Sequence, residues 1–580
     1  MTPSETLYRE WLQAEQLNAA LREELLSIEG NEKEIEERFY TELAFGTAGL
    51  RGIIGAGTNR MNVHVVRRAT AGLAKYIATV PGAAQRGVAI AYDSRLMSDV
   101  FARETALVLA ASGVKAYLYK TLHSVPQLSF TVRHLGCIAG VVITASHNPP
   151  AYNGYKVYWE DGGQAGPEQA SAIYEEIKKA DYFNVPLMSL EEAAACGRVV
   201  LIGEEIDEAY YAEGEKLLQY PELMKEKGGS CRIVYTPLHG SGMVPVKTLL
   251  SRVGVQVSVV KEQELPDSAF PTVKAPNPED PNAFTLAFKQ AEEEGANLIL
   301  ATDPDSDRLG VAVRKPGEPF RVLTGNQIGS LLLHYILTAK KEKGTLPKNG
   351  IAAKSLVSTR MADAIAAHFG VKMEDVPTGF RFIAAVIERC ERSSKEEFLF
   401  GFEESFGFLA GPFVRDKDAI TSAMLVAEAS VYYAEKGMTL YDVLQEMYGI
   451  YGYYKESVKS YTLEGKEGIA RIKETMAHLR LVPPEHFNTL AVEIFEDMQQ
   501  GTLVRPGQNG FAAAAIKGID VLRFSLEGGA WICVRPSGTE PKLKLYIGAN
   551  APTEAEVDAL LAKLMTSADA ILAKLLGIAE

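Results

Sequence analysis

The chain has 580 residues, of which 47% are hydrophobic and 23% charged, and its net charge is -14 (60 Lys+Arg against 74 Asp+Glu). That length predicts about four domains at roughly 150 residues each, with apolar material enough for their cores, which excludes a disordered or fibrous chain. The acidic balance and the lack of a long basic run argue against a nucleic-acid binder, so an anionic ligand would have to be met by cations converging locally.

The N-terminal stretch MTPSETLYREWLQAEQLNAALREELL is charged throughout and has no apolar signal core. Leu7, Trp11, Leu17, Leu21 and Leu25 recur at helical spacing, predicting one amphipathic helix that docks on the body. No run reaches the roughly 18 apolar residues of a membrane span. Cys137, Cys196, Cys231, Cys390 and Cys533 lie far apart with no CxxC spacing, which reads as reduced core thiols in a cytoplasmic protein.

Short β-branched runs then alternate with helical stretches: VAIAYD (88–93), FARETALVLAASG, VKAYLYK (114–120) and GVVITAS (140–146). A second series runs from RIVYTPLHG through QVSVV (232–260) to LILATD (298–303), and a third from GNQIGSLLLHYILTAKK to EFLFGFEES (397–405). Strands separated by helices predict parallel or mixed α/β sheets. Near residue 450 the texture changes to that of an α+β unit with antiparallel pairs. The predicted organisation is an N-terminal helical extension (1–40), three α/β domains (41–200, 201–315, 316–450) and an α+β domain (451–580).

Four loops carry chemistry. Thr144-Ala145-Ser146-His147-Asn148-Pro149 follows an apolar strand, at the carboxyl end where α/β folds place ligands. It lacks the flanking glycines of a hydrolase nucleophile elbow. Asp303, Asp305 and Asp307 alternate along one short loop after Leu298-Ile299-Leu300, a pattern that can converge on a hard cation such as Mg²⁺. The loop fails as an EF-hand, because Arg308 and Arg314 stand where Gly and Glu are needed; an aspartyl-phosphate loop is the better rival. Gly401-Phe402-Glu403-Glu404-Ser405-Phe406-Gly407 offers carboxylates and a hydroxyl suited to sugar hydroxyls. Arg535-Pro536-Ser537-Gly538-Thr539-Glu540-Pro541-Lys542 combines a guanidinium, two hydroxyls and free backbone N–H groups, a cradle for a dianion. No Walker A sequence occurs, and GSGMVP (240–245) and GAGTNR (55–60) lack the third glycine of a dinucleotide fingerprint.

In order and content these loops resemble the α-D-phosphohexomutase superfamily. The resemblance implies four domains around a central cleft, three related α/β mixed-sheet domains plus a C-terminal α+β domain. It implies that Ser146 is carried as a phosphoserine and that Asp303, Asp305 and Asp307 hold one Mg²⁺ that also touches it. Glu403 and Ser405 would bind sugar hydroxyls, and Arg535, Ser537, Gly538 and Thr539 the non-reacting phosphate. Arg51, in FGTAGLRG, would face the reacting phosphate, Lys156 would move a proton, and His147 and Arg308 would flank the centre. Thr378 and Gly379 match a specificity loop, and Lys417, in RDKDA, a phosphate-contacting lysine.

Two departures stand out: Arg381 replaces the lysine of the common TG-x-K, and Glu403-Glu404-Ser405-Phe406-Gly407 differs from the E-x-S-G-H of mannose and amino-sugar mutases. The implied reaction is glucose 1-phosphate ⇌ glucose 6-phosphate through a bound glucose 1,6-bisphosphate, which would also serve as activator. The length and N-terminal extension resemble the longer phosphoglucomutase/phosphopentomutase branch, so a phosphopentomutase stands as the alternative, ahead of an aspartyl-phosphate phosphatase or a silent phosphosugar-binding protein. The implied partner is a small phosphosugar, with no nucleic acid and no membrane; monomer and dimer both stay open.

Overall fold

The apolar spacing at the N-terminus predicts one helix, but the chain breaks it at 14–18 and again at 28–31. The computed structural model, which describes residues 2–46, 49–463, 465–507, 510–537 and 541–578, has three helices there, α1 (Pro3–Gln13), α2 (Ala19–Ser27) and α3 (Glu32–Phe39). Asn18 starts α2 by accepting the Ala20 N–H at 2.8 Å, while the Arg22 guanidinium donates to the Leu12 and Ala14 carbonyls and closes α1. Docking on the body occurs as expected. Trp11, Leu17 and Leu25 are buried, Leu7 and Leu21 only partly. The Trp11 ring packs edge-on against Phe39, Tyr182 and Phe183, with centroids 5.7, 5.2 and 5.3 Å away.

The chain folds into two compact units, residues 1–328 with 383–440, and residues 329–382 with 441–580. The first unit holds a six-stranded mixed sheet, β1 (Leu50–Ile53), β2 (Val88–Tyr92), β3 (Ala116–Tyr119), β4 (Ala139–Ile143), β5 (Tyr152–Trp159) and β6 (Val199–Ile202), in the order β1-β5-β4-β2-β3-β6. Strands β2, β3, β4 and β6 run parallel; β5 lies antiparallel to both β4 and β1. A five-stranded sheet follows: β7 (Arg232–Thr236), β8 (Gln256–Val259), β9 (Leu298–Thr302), β10 (Leu309–Val313) and β11 (Arg321–Val322), in the order β11-β10-β9-β7-β8. The central strands of both sheets are buried on both faces, which is why the sequence shows continuous apolar runs there. The unit also contains the antiparallel hairpin Glu397–Glu403/Gly407–Leu409.

The second unit contains a parallel pair, Gly350–Ser355 with Lys372–Val376, and an eight-stranded antiparallel sheet. The amphipathic helices Gly465–Leu481 and Glu554–Leu576 share a core with that sheet. Buried Lys354 bridges Asp375 and Asp363, and Arg523 joins Asp375 to Glu496 at 2.8 and 2.6 Å, tying the parallel pair to the larger sheet. Mixed α/β sheets followed by an antiparallel α+β sheet are the fold class that the sequence predicts. None of the five cysteines is in a disulfide; Cys196 is exposed, contrary to its reading as a core thiol, because it caps the short helix Leu190–Ala195 at the surface. Among the described residues no helix is long and apolar enough to cross a membrane.

One core residue links this packing to pH. His64, 1% exposed between Trp11 and Phe183, has no hydrogen-bond partner on either ring nitrogen. Burial, and then Arg67, lower its pKa from 6.5 to about 4, with the Tyr182 backbone and then Glu104 opposing. The unfolded chain protonates this imidazole near pH 6.5 and the folded protein only near 4. His64 therefore supports the fold fully above the upper value, and stability falls by up to about 3 kcal/mol as pH drops through that window. Urea unfolding of His64→Phe at pH 7, 5.5 and 4.5 should show a flatter acid dependence than the parent; an unchanged dependence rejects this assignment.

Candidate active site

Parallel pairing of β2 with β4 aligns Tyr92 with Ile143, so the residues that follow, Asp93 and Thr144, lie side by side. The Thr144 hydroxyl donates to Asp93 Oδ2 at 2.6 Å and accepts the Ser146 N–H at 2.8 Å. Ser146 is held at φ 52°, a left-handed conformation unusual for a residue other than glycine, and is 3% exposed. The buried Arg95 guanidinium supplies the restraint: it donates to the carbonyls of Pro149 and Tyr152 at 3.0 Å, and to those of Ser146 and Asn148. Asp93 in turn pairs with Arg95 at 3.4 Å and accepts its backbone N–H at 2.9 Å. One cation gathering four carbonyls fixes the loop that aims the Ser146 hydroxyl.

That hydroxyl points at the acidic loop and donates to Asp303 Oδ2 at 2.7 Å. The loop joins β9 to β10 through Ser306 at φ 54°, and Asp303 Oδ1 accepts the N–H groups of Asp307 and Arg308 at 3.2 and 3.1 Å. Asp303, Asp305 and Asp307 are essentially buried and each offers an oxygen within 4.8 Å of the others. Two lysines answer them. Lys156, on β5 opposite Val142, lies 2.8 Å from Asp305 and 4.0 Å from Asp307; Lys417 lies 3.1 Å from Asp307. Burial, then the neighbouring carboxylates, push Asp303 well above the carboxylate range; burial and Asp305 raise Asp307 against the pull of Lys417. Burial works the same way on Asp305, but Lys156 overrides it and holds that group below its ordinary value. Oδ1 of Asp305 and Oδ1 of Asp307 are buried with no hydrogen-bond donor. Three converging carboxylates with orphaned oxygens fit a hard, oxygen-seeking divalent cation such as Mg²⁺.

Other predicted residues surround this centre. Arg51, on β1, donates to the Asn148 side chain at 3.2 Å. His147 Nδ1 lies 3.2 Å from Ser146 Oγ; burial, then Arg308 and Arg51, lower its pKa to about 2, so the ring is neutral. Arg308 is ion-paired with Glu279 and has Asp307 at 4.0 Å. Lys417 is drawn into the protein and not displayed to solvent: its ammonium bridges Asp307 and Asp416, and Asp416 accepts from the Tyr158 hydroxyl at 2.7 Å. Gly407 makes room for this, since a Cβ there would lie 2.1 Å from Lys417 Cδ. Glu403 ends its strand buried, paired with Gly407, and Ser405 sits half-buried in the connecting turn.

The remaining predicted residues belong to the second unit. Thr378, Arg535 and Ser537 line one cavity of about 390 Å³ together with Arg381, and Gly379 adjoins Thr378 at φ 118°. Gly538 and Thr539, predicted for the same cradle, lie outside the described residues, as do Thr47 and Ala48 of the FGTAGLRG motif.

Sequence reasoning missed three supports. Arg95 and Asp93 follow β2 directly, and a buried-strand run ending in Asp-Ser-Arg was their only signal. Glu279 sits in an unremarkable Pro/Asn-rich stretch. GSG at 240–242, unfit for a dinucleotide, buttresses the acidic loop: the Ser241 N–H and hydroxyl both donate to the Pro304 carbonyl, at 2.9 and 2.7 Å.

The fold agrees with the similarities of the sequence to known families. Residues 42–183, 209–317 and 324–451 match the models for phosphoglucomutase/phosphomannomutase alpha/beta/alpha domains I, II and III, and residues 500–567 match the C-terminal domain of the same family. The chain belongs to the phosphoglucomutase/phosphomannomutase family. It is 35% identical over 540 residues to a phosphoglucomutase of Staphylococcus saprophyticus, covering 92% of this chain and 95% of the relative. A phosphoglucomutase of Staphylococcus epidermidis is 36% identical over 520 residues, 89% of this chain and 92% of its own. The solved structure of a phosphoglucomutase/phosphomannomutase family protein from Burkholderia thailandensis shares the fold at a TM-score of 0.65 and 18% identity, covering 92% of this chain and 97% of that one.

The buttress is testable at Gly240, where an added Cβ would lie 2.4 Å from Pro304 Cα and 2.9 Å from its carbonyl oxygen. Backbone at that distance cannot swing aside, so Gly240→Ala should displace the acidic loop and cost about 1–3 kcal/mol. Mn²⁺ binding measured by paramagnetic resonance should weaken at least tenfold in the folded variant. Parental affinity would show that the loop does not depend on this contact.

Proposed function

We propose that this protein interconverts glucose 1-phosphate and glucose 6-phosphate, with Ser146 as the phosphoryl carrier. The observation that carries the reading is the Ser146 hydroxyl, fixed by Arg95 in a left-handed turn and aimed at three buried carboxylates 2.7 Å away at the nearest. A phosphoryl group on that oxygen brings a charge of about -1.5 to -2 against the carboxylates, an arrangement that is stable only with cationic help. Asp303, Asp305 and Asp307 would hold a Mg²⁺ ion, which would supply the charge neutralisation that a phosphoryl group on Ser146 needs.

The chain's own groups do the rest. Arg51, Arg308 and Lys417 add positive charge around the transferring group, and preorganised charge is where most catalysis of phosphoryl transfer arises. A sugar hydroxyl attacks phosphorus, the bond to Ser146 Oγ breaks, and a glucose 1,6-bisphosphate is left bound. The hydroxyl proton is assigned to Lys156, which stands beside Asp305. Neutral His147 accepts or donates a hydrogen bond at Oγ without adding charge. Reorientation of the bisphosphate then presents its other phosphate, which returns to Ser146. Glu403 and Ser405 hold sugar hydroxyls, and the Arg535–Thr539 loop with Thr378 and Gly379 holds the phosphate that is not being transferred. Free glucose 1,6-bisphosphate would rephosphorylate a dephosphorylated Ser146 and so act as activator. The sequence around Glu403 favours glucose over mannose and amino sugars.

Intact-mass analysis of the isolated protein should find a fraction about 80 Da heavy, mapped to Ser146 and absent in Ser146→Ala, which should turn over less than a thousandth as fast while melting normally. Near-parental turnover of Ser146→Ala ends the proposal. Exhaustive chelation should abolish glucose 1-phosphate turnover and Mg²⁺ restore it; full activity without a divalent cation contradicts the role given to the acidic loop. A panel of glucose, mannose, N-acetylglucosamine and ribose 1-phosphates should give the highest kcat/KM for glucose, and a higher value for ribose would reassign the substrate.

A further inference from the structure

The cavity of about 390 Å³ in the second unit has more cationic lining than the cradle loop alone brings to it. Arg535 and Lys542 flank that loop, but Arg381 comes from the segment after Thr378 and Lys473 from the helix Gly465–Leu481. Asp520, the one acid among the described residues of the lining, is already bonded to Arg480. Arg381 itself is bound by nothing acidic among the described residues. Its guanidinium carbon stands 4.6 Å over the Phe382 ring, and its Nε is buried with no hydrogen-bond acceptor. A guanidinium stacked on an aromatic ring keeps all its N–H groups in the plane, free for a second ligand. Burial, and then the like charge of Arg535, lower the pKa of Arg381. Two guanidiniums brought onto one cavity with no acid between them among the described residues are a cost to the fold that an anion repays.

We propose that Arg381 is the second guanidinium of the phosphate grip, clamping with Arg535 the non-transferred phosphate of the phosphosugar. The inference rests on the reading of the Arg535 loop given above and extends it to a residue from a different part of the chain. It also gives a physical meaning to arginine where lysine is common: a lysine offers a point charge, whereas the planar fork engages two phosphate oxygens at once. Lys473 contributes charge at the rim, where solvent screens it, and is a minor member of the site.

Binding of inorganic phosphate, titrated calorimetrically in the presence of chelator on the full chain, separates the alternatives without relying on turnover. Arg381→Ala and Arg535→Ala should each weaken phosphate binding roughly 10- to 100-fold. The double variant should lose less than the product of the two, because both groups hold one ligand. Arg381→Lys should bind better than Arg381→Ala and worse than the parent, and it decides the matter if the alanine variant fails to fold. Parental affinity in Arg381→Lys and Arg381→Ala, with affinity lost in Arg535→Ala, overturns the role of Arg381 and leaves the loop reading standing. Parental affinity in all variants removes the phosphate grip from this cavity altogether.

Discussion

Three carboxylates buried within 4.8 Å of one another are the constraint around which the first unit is organised. Two like charges about 4 Å apart repel by roughly 4 kcal/mol even at an effective dielectric constant of 20. The fold answers with two lysines, the Ser146 hydroxyl, and the N–H groups of Asp307 and Arg308. These donors come from β5, from the segment 415–418, from the loop after β4 and from the acidic loop itself. What remains unanswered, the two orphaned oxygens, is the part of the balance left for a cation.

The same loop shows how a site is stiffened without being filled. Ser146 and Ser306 both sit in left-handed backbone, and each is held by neighbours that hydrogen-bond backbone carbonyls and not the reacting side chain. Arg95 does this for the serine loop and Ser241 for the acidic loop. Lys417 is positioned by a longer chain of contacts, Tyr158 to Asp416 to the ammonium, with Gln164 also on Asp416 at 3.2 Å. Because Tyr158 and Lys156 share one face of β5, a single strand sets the placement of both lysines that meet the carboxylates.

How much of this the sequence reveals depends on the range of the interaction. Strands such as Val88–Tyr92 and Leu298–Thr302 are legible because burial on both faces writes a continuous apolar run. The break between α1 and α2 is not, since apolar residues recur on both sides of it, from Leu7 to Leu25, and only Asn18 marks the cap. Ser146 and the aspartates are legible because their chemistry is local to one loop. Arg95 is not, because its acceptors lie about 50 residues away and are backbone carbonyls, which any sequence would supply. Gly240 is hidden for a related reason: a glycine required by close approach looks like one required by a turn. Lys417 was legible as a residue of the site, but its burial against Asp416 follows from tertiary packing alone.

The first unit is made of two separate stretches, and that discontinuity has a consequence for how the chain is made. Asp307 leaves the ribosome about 110 residues ahead of Lys417. At ~5–20 residues per second, the acidic loop exists for roughly 5 to 22 seconds before its second lysine has been synthesised. Through that interval the carboxylates lack one of the two lysines that meet them in the finished fold. Completion of the nascent site is therefore timed by the arrival of the segment 415–418, and everything translated between the two stretches is a delay built into its maturation.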